Sequence, residues 1–140
     1  MNRDEIMAIL PHRDAMLLVD EAQMRDGKAY GTYRVRGDEW FLRGHFPGNP
    51  VVPGVILCEM LAQSACVLLS DKESAGLTPY LTGIDGVRLK KPVRPGDVFE
   101  TECEITKAKP PFYFARGVGR TGGEVCVKAE FSFALVRDGK

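Results

Sequence analysis

The segment 53–70 constrains the fold most, because it is apolar nearly all round. After Gly54 it contains neither proline nor glycine, and Pro53 suits a first helical position, where its missing N–H would be unpaired in any case. A helix without a polar face has to be covered on every side, so we expect other elements to wrap around it. A membrane span is the alternative, but Glu59 and Gln63 interrupt a segment already near the minimum of about 17 to 20 residues. The positions expected to be buried are Val55, Ile56, Leu57, Met60, Leu61, Ala65, Val67, Leu68 and Leu69.

Strand-like segments lie on both sides of this helix in the chain. A short helix over 3–9 precedes a predicted hairpin, in which a turn at Asp26-Gly27 joins MLLVDEAQM to KAYGTYRVR. After a loop, DKESAGLT, come YLTGI, GVRLKK, DVFETECEITKA, FYFARGVGR and EVCVKAEFSFALV. The third of these alternates Phe99, Thr101, Cys103 and Ile105 with glutamates, which indicates a half-exposed antiparallel strand. The pattern predicts one α+β domain over 1–140, in which about five to six antiparallel strands curl around a long central helix.

The charge balance and the cysteines argue against several classes of protein. Lys and Arg number 19, as do Asp and Glu, so no net field favours nucleic acid. The four cysteines have no CxxC spacing and no histidines nearby, so we expect buried free thiols and neither a metal site nor a redox pair. Asp4 and Glu5 stand where a signal peptide would carry positive charge, so the cytoplasm is the expected compartment.

A second feature is the stretch GHFPGNPVVPGV at 44–55, which surrounds His45 with three glycines and three prolines. Proline fixes φ and glycine opens conformations that other residues avoid, so this composition indicates a loop held in one shape. A histidine in such a loop either hydrogen-bonds the loop carbonyls or is placed there for proton transfer. From the residues alone both interpretations stay open.

Two helix residues suggest chemistry as well. A buried Glu59 costs several kcal/mol unless it is paired or protonated, and burial raises a carboxyl pKa, so Glu59 could serve as a general acid. The alternative is a carboxylate that reaches solvent at the helix edge, supported by Gln63 one turn later. The open N–H groups around Gly54 could hold a carbonyl oxygen, or this glycine only relieves crowding next to Pro53. With no nucleophile elbow and no phosphate loop, the set indicates proton transfer beside a carbonyl.

Four segments resemble the FabZ type of 3-hydroxyacyl-[acyl carrier protein] dehydratase, a hot-dog fold family of bacterial fatty acid synthesis. They are LPHRDAMLLVD at 10–20, GHFPGNPVVPGV at 44–55, CEMLAQ at 58–63 and GIDGVRLKKPVRPGD at 83–97. The resemblance implies elimination of water from a 3-hydroxyacyl thioester to give the trans-2-enoyl thioester, with no cofactor and no metal. It also implies an acyl carrier protein as partner, and a dimer that assembles in threes into a hexamer.

The resemblance assigns roles to single residues. His45 matches the histidine that takes or shuttles the α-proton, and Glu59 matches the acid that helps the β-hydroxyl leave as water. The related isomerising branch usually has Asp at this position, so Glu59 favours the plain dehydratase. The amide of Gly54 matches the group that holds the thioester carbonyl, and Gln63 matches a helix residue that supports the site. The residues expected to bind substrate are Gly54, Gln63, Phe46 and Pro53.

Several features near these motifs have alternative interpretations. We expect His12, after Pro11, to be structural and to satisfy loose backbone groups where the helix breaks. The chain departs from the family at Asp14-Ala15 and at Cys58, which leaves the preferred acyl length open. A basic run either docks the carrier protein or is a solvated strand face. Its members are Arg88, Lys90, Lys91 and Arg94.

The helix geometry bears on how the site is assembled. Glu59 lies about 7.5 Å along and about 140° around the helix from Gly54, so it points away from the amide pocket of its own chain. The resemblance implies a shared site, with His45 facing Glu59 of the partner subunit. The alternative functions are a hot-dog thioesterase and a non-catalytic acyl-binding subunit.

Overall fold

Two α-helices and six strands make up the part of the chain that the computed structural model describes, residues 1–69 and 77–137. The helices are α1 (Arg3–Met7) and α2 (Gly54–Cys66). The strands are β1 (Glu21–Arg25), β2 (Lys28–Arg34), β3 (Thr78–Leu89), β4 (Val98–Lys109), β5 (Phe112–Thr121) and β6 (Glu124–Val136). Short 3₁₀ turns cover Asp14–Met16, Trp40–Leu42 and Val67–Leu69.

The six strands form one sheet in the order β1-β2-β4-β5-β6-β3, and all neighbours are antiparallel. Helix α2 packs against the face formed by β4, β5 and β6. The predicted α+β hot-dog fold, with one long helix wrapped by a curved antiparallel sheet, is therefore confirmed. The alternation predicted for β4 is also observed, since Phe99, Thr101 and Cys103 are buried and Ile105 is half-buried.

Helix α2 forms the centre of the core, with Met60, Leu61 and Ala65 completely buried. It begins at Gly54, and Pro53 is its N-cap residue rather than its first helical residue. The expectation that Val55 is buried is wrong, because its side chain is 74% exposed. The sheet of a single chain covers most of the helix surface and leaves the side at Val55 open.

Close packing of α2 on the sheet depends on glycines of β5. A Cβ atom on Gly117 would lie 2.9 Å from Cys103 Sγ and 3.2 Å from Leu61 Cδ2. On the same face, a Cβ atom on Gly119 would overlap the ring of Phe99, which is completely buried. These two glycines therefore let the helix and a large aromatic side chain approach the backbone of β5.

The strand boundaries differ from the predictions in two places. The first strand begins at Glu21 instead of Met16, because residues 17–19 are buried and run beside α2. The segments YLTGI and GVRLKK belong largely to one strand, β3, which continues through two irregularities in its pairing with β6. The turn at Asp26-Gly27 is confirmed, with positive φ angles of 52° and 78°. Most of the predicted DKESAGLT loop lies outside the described residues.

The described helices are too short or too polar to cross a membrane. All four cysteines, Cys58, Cys66, Cys103 and Cys126, are buried and unpaired, as the sequence predicts.

Candidate active site

The loop that carries His45 is held by a set of backbone hydrogen bonds. Phe46 and Asn49 exchange two of them, at 3.0 and 2.8 Å, around a tight turn in which Gly48 has a φ of +72°. The Val51 N–H donates to the His45 carbonyl at 2.8 Å, and the Val52 N–H donates to the Val93 carbonyl at 2.8 Å. The predicted single conformation of this loop follows from these bonds, because both of its arms are fixed to neighbouring backbone.

The His45 ring is oriented by the same loop. Its Nδ1 lies 3.0 Å from the Val51 carbonyl oxygen. A carbonyl oxygen only accepts, so Nδ1 carries the proton of the neutral ring and Nε2 keeps a free electron pair. The ring also stacks on Phe46, with centroids 4.2 Å apart, and Phe46 itself is 52% exposed. Nε2 is thus available to accept a proton.

The start of α2 presents open N–H groups, because the intrahelical bonds begin with the Ile56 N–H, which donates to the Pro53 carbonyl at 2.9 Å. A Cβ atom on Gly54 would lie 2.6 Å from Leu89 Cδ1. A larger residue here would therefore displace the exposed side chain of Leu89 at the end of β3. The missing Cβ also leaves the Gly54 amide open to a ligand oxygen.

Glu59 lies one turn further along α2 and makes two polar contacts. Gln63 Nε2 donates to Glu59 Oε2 at 2.8 Å, and His12 Nε2 lies 3.3 Å from the same oxygen. Burial alone would raise the pKa of the Glu59 carboxyl. The contacts with His12 and Gln63 lower it by more than burial raises it, so that it lies below its ordinary value. The expectation of a raised pKa is therefore wrong for the single chain, because partners from two elements stabilise the carboxylate.

Gln63 is the structural centre of this cluster and is only 1% exposed. Besides Glu59, its Nε2 donates to the Met16 carbonyl at 2.7 Å, and its Oε1 accepts from the Leu18 N–H at 2.9 Å. The predicted support of Glu59 by Gln63 is confirmed. The amide also fixes residues 16–18 to the helix, since a buried side-chain amide is satisfied by backbone groups on that segment.

His12 has a different contact from the one expected. Its Nε2 reaches Glu59, and its Nδ1 is buried without a hydrogen-bond partner in the described part of the chain. The loose carbonyls at this break are satisfied by Arg13, whose guanidinium donates to Leu10, His12 and Met7 at 2.7, 2.7 and 3.0 Å. The role predicted for the His12 side chain is thus filled by its neighbour.

A narrow, mostly apolar cavity lies beside Glu59. Besides His12, Glu59 and Gln63 it is lined by Ala62, Cys66, Pro79, Leu81 and Phe133. A second cavity, lined mainly by apolar side chains, shares Cys66 and Pro79 with the first. Its other lining residues are Ile9, Leu10, Leu69, Leu77 and Leu135. Burial, together with the charge of Glu59, raises the pKa of the Cys66 thiol to about 12, so this side chain is an uncharged part of the wall.

The structure brings together only some of the predicted site residues. Glu59 and Gln63 form one cluster, while His45, Phe46 and Gly54 lie in and after the loop at the start of α2. In the described residues of one chain, no hydrogen bond or ion pair joins His45 to Glu59. Sequence reasoning named His12 but missed its contact with Glu59, for which the available signal was its place in the PHR motif, four residues before Met16, a partner of Gln63.

Only part of the basic run makes contacts within the chain. Lys91 pairs with Glu124 at 3.2 Å, and Arg94 donates to the side chain of Asn49 in the His45 loop. Arg88 and Lys90 are exposed. The Arg94 end of the run therefore lies next to the loop that carries His45.

A long central helix wrapped by a curved antiparallel sheet defines the hot-dog class of proteins, and this chain adds a fixed histidine loop before the helix and a glutamate on its second turn. Residues 10–130 match the FabA-like domain, and the chain belongs to that family, in its FabZ branch. The 3-hydroxyacyl-[acyl-carrier-protein] dehydratase FabZ of Caulobacter vibrioides is 40% identical over 96% of this chain and 88% of its own length. The protein of the same name from Caldicellulosiruptor saccharolyticus is 46% identical over 93% and 95%.

Solved structures show the same fold. The dehydratase heterocomplex ApeI:P from Xenorhabdus doucetiae has a TM-score of 0.79 at 22% identity, covering 93% of this chain and 90% of its own. A putative thioesterase from Ralstonia eutropha has a TM-score of 0.65 at 16% identity, covering 83% of each chain. Because the fold is common to proteins described as dehydratase and thioesterase, it does not by itself distinguish these activities.

Proposed function

We propose that this protein removes water from 3-hydroxyacyl thioesters on an acyl carrier protein and forms trans-2-enoyl thioesters, in bacterial type II fatty acid synthesis. The observation that carries the proposal is the 40 to 46% identity to FabZ dehydratases over nearly the whole chain. The site is consistent with this activity, since it combines a fixed imidazole, a carboxyl group and an open helix N-terminus.

We assign the proton transfers to His45 and Glu59. The reaction breaks the C2–H and C3–O bonds and forms the C2=C3 double bond. His45 Nε2 takes the C2 proton, and Glu59 in its acid form gives a proton to the departing hydroxyl, so that water leaves. The proton on His45 then returns to the Glu59 carboxylate and restores the starting state. The lowered pKa of Glu59 means that a minor fraction of sites holds this reactive pair at neutral pH.

The remaining assignments concern binding of the substrate. The Gly54 amide receives the thioester carbonyl oxygen, where the open N–H groups and the helix dipole stabilise the negative charge that develops when C2 loses its proton. Phe46, Pro53 and Gln63 complete the surroundings of the reacting group. The acyl tail starts against the apolar wall beside Glu59, where Ala62, Leu81 and Phe133 present hydrocarbon to it.

The active unit is a dimer, and three dimers form a hexamer. Strand β3 is at the edge of the sheet and has only β6 as a neighbour in the described chain. Tyr80, Leu81, Ile84 and Val87 on this strand are 37 to 47% exposed, which is costly in an isolated monomer. Pairing of β3 with its copy in the partner subunit would cover this edge and bring His45 towards Glu59 of the partner subunit.

The basic run and the compartment complete the proposal. Arg88 and Lys90 are exposed, and Arg94 at the end of the run contacts the His45 loop, so the positive charge of the run would attract an acidic carrier protein. We place the protein in the cytoplasm, because four buried unpaired thiols are typical of a reducing compartment.

The test is a direct assay of the products. Purified protein would be incubated with 3-hydroxyacyl carrier substrates of several lengths, and the products would be identified by mass spectrometry. We expect the loss of one water, and we expect His45→Ala to lower the rate by on the order of a hundredfold to ten-thousandfold. Wild-type turnover by His45→Ala, in a protein with an unchanged melting temperature, would contradict the assignment.

The same assay separates the alternatives. A thioesterase would release the free thiol of the carrier protein, which a thiol-reactive dye detects, whereas a dehydratase leaves the thioester intact. A non-catalytic acyl-binding subunit would bind the substrate and give neither product.

A further inference from the structure

His12 contacts the proposed acid directly, although the two residues lie in distant segments of the chain. Its Nε2 is 3.3 Å from Glu59 Oε2, and its side chain is 20% exposed on the wall of the cavity beside Glu59. A histidine this close to a partly buried carboxylate influences both the direction of that carboxylate and its charge.

The contacts on Glu59 are unequal for its two oxygens. Both His12 Nε2 and Gln63 Nε2 approach Oε2, and in the described part of the chain Oε1 has no protein partner. Donors on one oxygen restrict the torsion of the carboxyl group, so Oε1 is left as the oxygen that meets a ligand. A single donor would leave that torsion much less restricted.

The backbone around His12 is held firmly enough for such a role. Arg13 joins the carbonyls of Met7, Leu10 and His12 itself, which closes the segment on itself. On the other side, Gln63 fixes Met16 and Leu18 to helix α2. The segment that carries His12 is therefore attached to the same helix as Glu59, through the same glutamine that contacts Glu59.

We propose that His12 is a positioning residue, which together with Gln63 holds Oε2 of Glu59 so that Oε1 faces the leaving hydroxyl. The buried Nδ1 of His12 has no partner in the described part of the chain, so the protein retains this histidine at a cost that the contact with Glu59 has to offset. This inference rests on the proposed function, in which Glu59 is the acid. The charged and titratable groups of the described chain that face Glu59 are His12 and Cys66.

The test uses the pH dependence of kcat/KM in three variants at position 12. His12→Leu removes the donor, His12→Gln keeps a nitrogen at the position of Nε2, and His12→Asn moves the nitrogen to the position of Nδ1. The readout is the acid limb of the profile, which we expect Glu59 to set. Losing the donor raises the pKa of Glu59, so the acid limb moves to higher pH in the Leu and Asn variants and returns towards wild type in the Gln variant.

The variants should also differ in rate. We expect kcat to fall by on the order of tenfold to a hundredfold in the Leu and Asn variants, because the carboxyl group loses its orientation, and to recover in the Gln variant. A merely structural role would lower the melting temperature without moving the acid limb. If His12→Leu does not fold, the comparison of His12→Gln with His12→Asn still tests the proposal, because both variants introduce a polar amide.

A control separates failure of this inference from failure of the proposed function. If Glu59→Gln is inactive while His12→Leu and His12→Asn keep the wild-type acid limb, the positioning role of His12 is wrong. The assignment of Glu59 as the acid is then retained. If Glu59→Gln keeps wild-type activity, Glu59 is not the acid, and both proposals are overturned.

Discussion

At the scale of single residues, Glu59 shows how the environment of a side chain reverses an expectation drawn from its type. A carboxyl group on an apolar helix is expected to be protonated, because burial disfavours its charge. Here burial does raise its pKa, but His12 and Gln63 lower it below the ordinary value. The glutamate therefore contributes to stability through its charged form.

This leads to a prediction about stability and pH. A carboxyl group whose pKa is lower in the folded protein stabilises it above the unfolded pKa, and that stabilisation is lost as the pH falls through the folded value. We expect wild-type protein to melt at a higher temperature than Glu59→Gln at neutral pH. The difference should shrink once the pH falls below the ordinary carboxyl range.

Thermal unfolding of both proteins, measured in steps from neutral to acidic pH, tests this directly. The amide introduced by Glu59→Gln keeps an oxygen that can accept from Gln63, so the comparison mainly removes the charge. A variant that is more stable than wild type at neutral pH, with a gap that does not depend on pH, would show that Glu59 is buried at a net cost.

The residues of the site could be predicted from the sequence to different extents. The contact between Glu59 and Gln63 follows from their spacing of one helical turn, which is a local property. The contact between His12 and Glu59 joins segments far apart in the chain, and no periodicity indicates it. The neighbour of Gly54 was likewise hidden, because Leu89 lies at the end of a strand that passes the helix only in the folded chain.

At the scale of elements, the close contact between helix α2 and the sheet depends on β5. This strand carries Gly117 and Gly119 on the face that meets the helix and the buried ring of Phe99. The sequence GVG predicts a strand only weakly, since glycine is unfavourable in strands. The missing side chains of these glycines nevertheless leave the room that the neighbouring side chains occupy. Strand β5 could be predicted from the sequence, but the reason for its two glycines became clear only from the packing of the folded chain.

Gly119→Ala should therefore destabilise the fold. Its Cβ would overlap the ring of Phe99 and lie 3.0 Å from Val127 Cγ1, so the core has to shift. We expect a loss of roughly 1 to 3 kcal/mol in the free energy of unfolding, as in other overpacked cores. Chemical denaturation measures this loss.

The matched control for Gly119→Ala is Phe99→Leu, alone and combined with it. A smaller side chain at position 99 makes room for the new methyl group, so the double variant should lose less stability than the sum of the two single losses. Additive losses would mean that the methyl group at position 119 does not meet Phe99.

At the scale of the whole molecule, the described chain has an exposed sheet edge, and its proposed catalytic residues lie in two separate places. Strand β3 is one of the two terminal strands of the described sheet, and Leu89 and Val55 near it are 59% and 74% exposed. The sequence predicts that all of helix α2 is covered, but Val55 is exposed in the single chain, and the proposed dimer would cover it. The same surface contains Gly54, so completing the surface and completing the site are expected to be one event.

The proposed site, shared between two subunits, makes a prediction that a site within one chain does not. A His45→Ala protein and a Glu59→Gln protein, each inactive, are mixed in equal amounts under conditions that allow subunit exchange. Half of the dimers then contain both chains, and each has one site with His45 and Glu59 intact and one with neither. Activity should return to roughly a quarter of the wild-type value per protomer if the sites act independently.

Mixing His45→Ala with a His45→Ala/Glu59→Gln double variant forms no intact site and should restore nothing. Exchange confirmed by mass spectrometry without any return of activity would mean that His45 and Glu59 do not meet across the dimer interface.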